Sequence, residues 1–317
     1  MEREELENRL VNKLKKLTET TWHGRILEPD INRWVSQFAK APDIDTDEQL
    51  HALYLLGNFI YFGQTEIREL LKSLYRELFR TPAIHAIRRA HGDTTDWNLL
   101  ETEFDKYQST TRFLGVGNPS ESGVHLLYYF RQENDLPRSL FIHSHQIFSR
   151  DTSASVPALR VRNEDIETYV FIDDLCGSGT QAAEYSQDIV EPLRKLKPDV
   201  KIHYLILFAT ADGLKAIRDL KQYDNVTAIY ELDHSFSSLE PASRIFSHPD
   251  TPFDRAKVKA TCEKYGSNLW AAHPLGYKNG QLLLGFNHNT PDNSLPIFWR
   301  ETSTWRPIFK RYHKDPS

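Results

Sequence analysis

Residues 169–181, YVFIDDLCGSGTQ, limit what this chain can fold into more than any other stretch. Apolar residues and two adjacent aspartates lead into a loop of small residues, the outline of a strand that delivers a ligand loop to a helix. Successive side chains of a strand face opposite ways, so Asp173 and Asp174 are expected on different sides of a sheet. Neighbouring carboxylates are unfavourable unless cations or hydroxyls engage them. A ribose diol, or a magnesium-bound sugar phosphate, would do so. Gly177, Ser178, Gly179 and Thr180 let backbone N–H groups come close to a ligand at a helix N-terminus, with two hydroxyls as added donors, which suits a monophosphate. The loop is no Walker A motif, because GxxxxGK[ST] is absent. The competing account is an ordinary helix-capping turn, with Cys176 packed against the sheet rather than acting as a nucleophile.

From about residue 111, strands and helices alternate. RFLGVG ends a strand, NPSESG is a polar loop and VHLLYYFRQEN reads as a helix. SLFIHSHQIF reads as a strand, on which His143 and His145 would share a face, and SRDTSASVPALRVRNED as a polar, mobile segment. After YVFID and the glycine loop come a helix over roughly 180–196, the strand KIHYLILFAT, the helix ADGLKAIRDLKQY and the strand VTAIYEL. Such alternation predicts a parallel α/β sheet with ligands at the carboxyl ends of its strands. Both GVGNPSESG and DDLCGSGT fall there.

Residues 1–110 offer at least four helices and no convincing strand. Leucines recur at helical spacing in 2–19, and Ile31, Trp34, Val35 and Phe38 mark a second helix with Asp30 as N-cap. LHALYLLGNFIYF suggests a buried helix, TEIRELLKSLYRELF an amphipathic one capped by Thr65, and two weaker helices follow around 82–91 and 94–107. None shows the basic stripe that phosphate contacts require. From about 233 the pattern is mixed, with AKVKATCEKYG as a helix ending at Gly266 and a hairpin turning at Asn279-Gly280. The expected division is an α-helical region over 1–110 and an α/β domain over 111–317.

The order of these elements resembles the type I phosphoribosyltransferases, whose signature is an apolar strand, two acids and a small loop. The resemblance implies a parallel-sheet core, with the helical N-terminal region and a C-terminal hood over about 233–317 as additions. It implies that Asp173 and Asp174 hold the ribose of phosphoribosyl pyrophosphate (PRPP) or a nucleotide, and act in catalysis. The 5′-phosphate would lie on Cys176, Gly177, Ser178, Gly179, Thr180 and Gln181. The pyrophosphate loop would be Asn118, Ser120, Glu121, Ser122 and Gly123, although a serine-capped turn accounts for that stretch equally well. Mg2+ would come with the ligand and be met by Asp173 and Asp174. Arg150 would be a catalytic cation on a flexible loop, with Arg160 and Arg162 also in reach of the pyrophosphate. Asn287, Asp292 and Asn293 would read a base under the hood, where Phe286, Phe298, Trp299 and Trp305 serve as core and hood.

The FIDD-x-CGSGTQ signature and the PLGY…NTPDNSLPIFW stretch resemble a divergent bacterial branch of this superfamily, associated with anti-phage conflict systems that include some retrons. That implies an effector with a protein or nucleic-acid partner, such as a reverse transcriptase and its RNA/DNA. Two departures bear on activity. Only Leu175 and Cys176 separate the acids from the cradle, a shorter step than usual, and no basic pair closes SLFIHSHQIF. Both favour ligand binding over transfer, and leave a catalytically inactive, nucleotide-sensing module as the alternative.

The letters DxxCGSGT are also similar to motif I of S-adenosylmethionine methyltransferases. The DNA amino-methyltransferases that carry CGSGT need a (D/N)PP(Y/F) motif as well, which is absent here. A net charge of −5 argues against a generally basic nucleic-acid surface and leaves room for a local patch. Two cysteines are too few for a disulfide framework, no apolar run is long enough to span a bilayer, and MEREELENRL does not read as a secretory leader. A soluble cytoplasmic protein is expected, whose N-terminal helices could form a homodimer, contact a partner or buttress the sheet.

Overall fold

A computed structural model of the protein describes residues 2–117, 122–151, 158–249 and 251–312. In chain order its elements begin with α1 (Arg3–Thr20), α2 (Glu28–Val35), α3 (Glu48–Leu56), β1 (Ile60–Phe62), α4 (Gln64–Ser73), α5 (Thr81–Ala90) and α6 (Trp97–Ser109). Next come β2 (Thr111–Gly115), α7 (Ser122–Glu133), β3 (Phe148–Asp151), β4 (Ala158–Val161), β5 (Thr168–Cys176), α8 (Thr180–Tyr185) and α9 (Glu191–Leu196). The last are β6 (Lys201–Thr210), α10 (Ala211–Asp219), β7 (Asn225–Leu232), α11 (Arg255–Leu269), β8 (Leu284–Phe286) and α12 (Pro296–Trp299). The protein is mixed α/β with parallel sheets and N-terminal helices, and it divides into two compact units. One joins Met1–Ile67 to Leu232–Ser317, and the other is Arg68–Glu231. The boundary drawn at residue 110 from the sequence falls inside the second unit.

The second unit holds a sheet in the order β2-β5-β6-β7, with β5 parallel to both β2 and β6. The central strands are apolar on both faces, as strands covered on two sides must be. Tyr169, Phe171, Tyr204 and Ile206 join one core with Val190, Leu193, Leu214 and Ile217 of the helices. Two helices contain a wider, π-type turn, Leu74–Arg80 and Ser186–Val190. Each lies just ahead of a proline, Pro82 or Pro192, that has no N–H for the regular ladder.

The first unit is built on aromatic packing. Trp34 stacks on Phe298 with ring centroids 5.2 Å apart, Phe59 stacks on Phe309 at 4.0 Å, and Trp34 Nε1 donates to the Ile297 carbonyl at 2.9 Å. Asp47 caps α3, its carboxylate accepting from the N–H groups of Gln49 and Leu50.

Several expectations are corrected. LHALYLLGNFIYF is not one helix: α3 stops at Gly57, and Ile60–Phe62 pairs in parallel with Leu284–Phe286, so the N-terminal region contains a strand. The same pairing replaces the hairpin at Asn279-Gly280, where a 3-10 turn runs Tyr277–Asn279. SLFIHSHQIF is not a strand but two 3-10 turns around a single bridge from Phe141 to Phe113, and His143 and His145 stack on the second turn. α11 runs through Gly266, where glycine is needed because a Cβ would lie 1.9 Å from the Pro274 carbonyl. Asp30 sits inside α2, not before it, and its carboxylate reaches back to accept from Leu27 N–H at 3.0 Å.

Candidate functional site

β2 and β5 run side by side with Gly115 opposite Ile172, and Val116 N–H donates to the Ile172 carbonyl at 3.0 Å. The ends of the two strands therefore lie together, which brings Gly117 and the DD-LC-GSGT segment to the carboxyl end of the sheet. Gly117 has φ +99°, in the left-handed region where glycine is favoured, so the chain turns there. Asn118, Ser120 and Glu121 lie outside the described residues, and Ser122 and Gly123 open α7.

The strand does not stop at the acids. It carries both of them and continues to Cys176, paired with β6 as far as Ala209. Asp173 is buried, at 7% exposure. Its Oδ2 accepts from the Tyr204 hydroxyl at 2.7 Å and its Oδ1 from Asp174 N–H at 3.0 Å. Burial, then the neighbouring Asp174 charge, pushes the Asp173 carboxyl well above the usual carboxylate range. The Tyr204 phenol is raised too, by burial and then by Asp173, and it stacks on Tyr223 with centroids 5.6 Å apart. Asp174 is buried as well, its Oδ1 accepting from Leu175 N–H at 2.9 Å and its side chain interacting with that of Asp173. Cys176 is buried in the core, and its thiol is pushed up to about 12 by burial and then by Asp173, which leaves it protonated.

The glycine loop is clamped from below by α10. Thr210 at the end of β6 donates from Oγ1 to the Gly177 carbonyl and accepts from Gly213 N–H at 3.0 Å. A Cβ on Gly213 would lie 2.4 Å from the Gly177 carbonyl oxygen, so only glycine lets the helix approach this closely. Gly179 has φ +74°. Ser178 Oγ lies 2.9 Å from Thr180 Oγ1, and the helical run beginning at Thr180 starts here, with Gln181 exposed on its first turn.

Arg150 and Arg160 are exposed on the antiparallel pair β3–β4, opposite Leu159 and Ser149 respectively. Arg162 is exposed as well, its N–H donating to the Ile147 carbonyl at 2.8 Å. The ends of the segment read as a mobile loop are thus paired strands, and residues 152–157 lie outside the described ones. Asn287, Asp292 and Asn293 belong to the first unit. Asn287 accepts from Arg25, Asp292 accepts from Arg311 Nη2 at 2.9 Å, and Asn293 donates to the Tyr277 carbonyl at 3.2 Å. Phe286, Phe298, Trp299 and Trp305 are core side chains.

Sequence reasoning missed Tyr204, Thr210 and Gly213. Thr210 and Gly213 carry a signal, a threonine closing a strand and glycine three residues on, as an N-cap of α10 would require. Tyr204 carries none, since it reads as one more apolar residue of KIHYLILFAT.

A hard cation such as Mg2+ takes unprotonated oxygens, one or two protein carboxylates together with phosphate oxygens of a ligand. Asp173 fits poorly, because burial shifts its carboxyl well above the usual carboxylate range and both of its oxygens accept from the protein. Asp174 offers a single carboxylate at the head of the loop, although it too is buried, at 8% exposure, and its side chain interacts with that of Asp173.

A model of the PRTase-CE family matches residues 31–311. No curated protein matches. Among solved structures, the chain is similar to Helicobacter pylori xanthine-guanine-hypoxanthine phosphoribosyltransferase at 12% identity, over 55% of this chain and 88% of that one, with a TM-score of 0.29. It is similar to orotate phosphoribosyltransferase from Aeropyrum pernix at 14% identity, over 43% and 73%, with a TM-score of 0.25. The AQ2163 protein from Aquifex aeolicus matches at 11% identity, over 65% and 83%, with a TM-score of 0.29.

Proposed function

The chain belongs to the PRTase-CE family, a phosphoribosyltransferase-like family, and from that premise we propose that it binds a ribose phosphate, PRPP or a nucleotide, on the DD-LC-GSGT segment. The observation that carries this reading is the meeting of the Gly117 turn, Asp174 and the loop 177–180 at the paired ends of β2 and β5. Asp174 would accept from the ribose hydroxyls. The backbone of 177–180, with the hydroxyls of Ser178 and Thr180, would hold the phosphate at the start of the helix. Mg2+ bound with the ligand would neutralise a pyrophosphate leaving group, and Asp174 would meet it. Arg150 remains the cation proposed to act on that group. The setting we propose is a bacterial anti-phage system, retron-associated in some members, with a protein or nucleic-acid partner, such as a reverse transcriptase and its RNA/DNA, or a second copy of this chain.

A second reading, a nucleotide sensor without transfer activity, is favoured by the sealed state of Asp173, which removes one of the two acids from the ligand. The two are separated by incubating the protein with PRPP, Mg2+ and candidate acceptors. Pyrophosphate release supports transfer; tight PRPP binding without release under any acceptor supports the sensor. Absence of PRPP and nucleotide binding sinks both.

A further inference from the structure

We propose that the first unit is closed by an acid-sensitive latch, the buried His51 between α3 and α11, and that mild acid parts these helices and opens the buried face of α11. His51 lies on α3, with 2% of its surface exposed. Its Nδ1 and the Thr261 hydroxyl of α11 are 2.8 Å apart, and that hydroxyl reaches the Lys257 carbonyl at 3.3 Å. The Phe253 ring stands edge-on to the imidazole, with centroids 5.3 Å apart. Nε2 has no hydrogen-bond partner among the described residues.

These surroundings suit a neutral ring and oppose a charged one. A neutral imidazole has one N–H to place, whereas the imidazolium donates from both nitrogens. Protonated His51 would keep Thr261 and leave a charged N–H at Nε2 without an acceptor, a costly way to bury a donor. The charged groups that face the ring are Asp45, Asp47 and Glu48 from α3 and the residues before it, and Lys257 from α11. Each carboxylate is already held, Asp47 by Arg3, Glu48 by Lys264 and Tyr265, and Asp45 by Lys257. Lys257 meets an imidazolium as a like charge.

Burial accordingly lowers the His51 imidazole below its ordinary value, and the three carboxylates offset this only in part. A base depressed in the fold contributes stability that is present above its ordinary value of about 6.5. As pH falls below that, the opened state takes up a proton that the closed state refuses. Opening then gains about tenfold per pH unit until the folded value is reached. An ordinary carboxylate titrates near pH 4, beneath this window. The loop 177–180 belongs to the other unit, and the latch stands whether or not that loop binds PRPP.

Cys262 supplies the reporter, because it is fully buried beside Thr261 on the inward face of α11. The full chain is labelled with 4,4′-dithiodipyridine from about pH 8 down to about pH 5, and peptide mass mapping separates Cys262 from Cys176. Rates are taken relative to the denatured chain at the same pH, which cancels the pH dependence of the thiol itself. Labelling of Cys262 is expected to rise about tenfold per pH unit below about 6.5, with no such rise at Cys176. His51→Asn keeps an N–H for Thr261 but cannot titrate, and it should abolish the rise. A flat profile in the parent overturns the proposal, as does an equal rise in His51→Asn. A parallel rise at Cys176 would mean unfolding of the whole chain and overturns it too. Thermal melts at neutral pH identify a variant that fails to fold, and His51→Gln then takes its place. If neither folds, the parent decides alone, and a slope under about threefold per pH unit rejects the latch.

Discussion

Two neighbouring aspartates of one strand are both buried, and a tyrosine hydroxyl from the next strand sets Asp173 apart. Asp173 enters the core against Tyr204, and its folded-state value lies well above the ordinary aspartate value of about 3.9. Between those two values the native carboxyl keeps a proton that the unfolded chain has released. Stability therefore falls as pH rises through that window and levels off above it. Asp173→Asn removes the titrating group, so its melting temperature should hold across the window while that of the parent declines. Parallel melting curves from pH 4 to 8 would mean that Asp173 is ionised in the fold. Tyr204→Phe takes the hydroxyl donor from a buried carboxyl and should cost about 1–3 kcal/mol in denaturant unfolding. Asp174→Asn should weaken PRPP at least about tenfold with little change in melting temperature, whereas Asp173→Asn should act mainly on stability. The pair itself is legible in the letters DD. The difference between its members is not, because it is set by a tyrosine on the next strand.

At the scale of elements, the glycine loop owes its position to α10. Gly213 admits the loop carbonyls of Cys176 and Gly177 to 2.6 and 2.4 Å of where a Cβ would stand. Gly213→Ala must push the loop and the helix apart, at about 1–3 kcal/mol, and PRPP binding should fall with it. Gly266→Ala, which meets the Pro274 carbonyl in the other unit, should destabilise at least as much yet leave the affinity of the folded fraction unchanged. Melting curves and titrations on both variants distinguish the two effects. The elements that carry the loop were readable, because β5 and β6 are long buried strands whose apolar runs end in turn residues. SLFIHSHQIF misled because its apolar residues mimic a strand, while Phe141 finds only an isolated bridge and Phe148 alone belongs to a strand. β1 was hidden because its partner, Leu284–Phe286, lies at the other end of the chain, and no local pattern reports a pairing of that separation.

At the scale of the molecule, the first unit is assembled from both ends of the chain, and this decides how it can be cut. Trp34, Phe38 and Phe59 come from the N-terminal segment, and they pack on Phe298, Trp305 and Phe309 from the C-terminal one. Each large aromatic stripped of its partner costs about 3–5 kcal/mol, so losing several exceeds the whole stability of a typical domain, about 5–15 kcal/mol. A chain shortened to 111–317, the α/β domain expected from sequence, should therefore leave 232–317 unfolded and open to protease, because it lacks the segment that completes that core. Residues 68–231 are different. They are contiguous, contain the four-stranded sheet and one of its cores, and should fold alone as a protease-resistant fragment. Limited proteolysis with near-ultraviolet circular dichroism on the two fragments decides the matter. A stable 111–317 fragment beside an unfolded 68–231 would place the working boundary near residue 110 after all. The expected result places the loop 177–180 in a unit that folds without the chain ends, and the aromatic core of Trp34 and Phe298 in a unit that exists only when both ends are present.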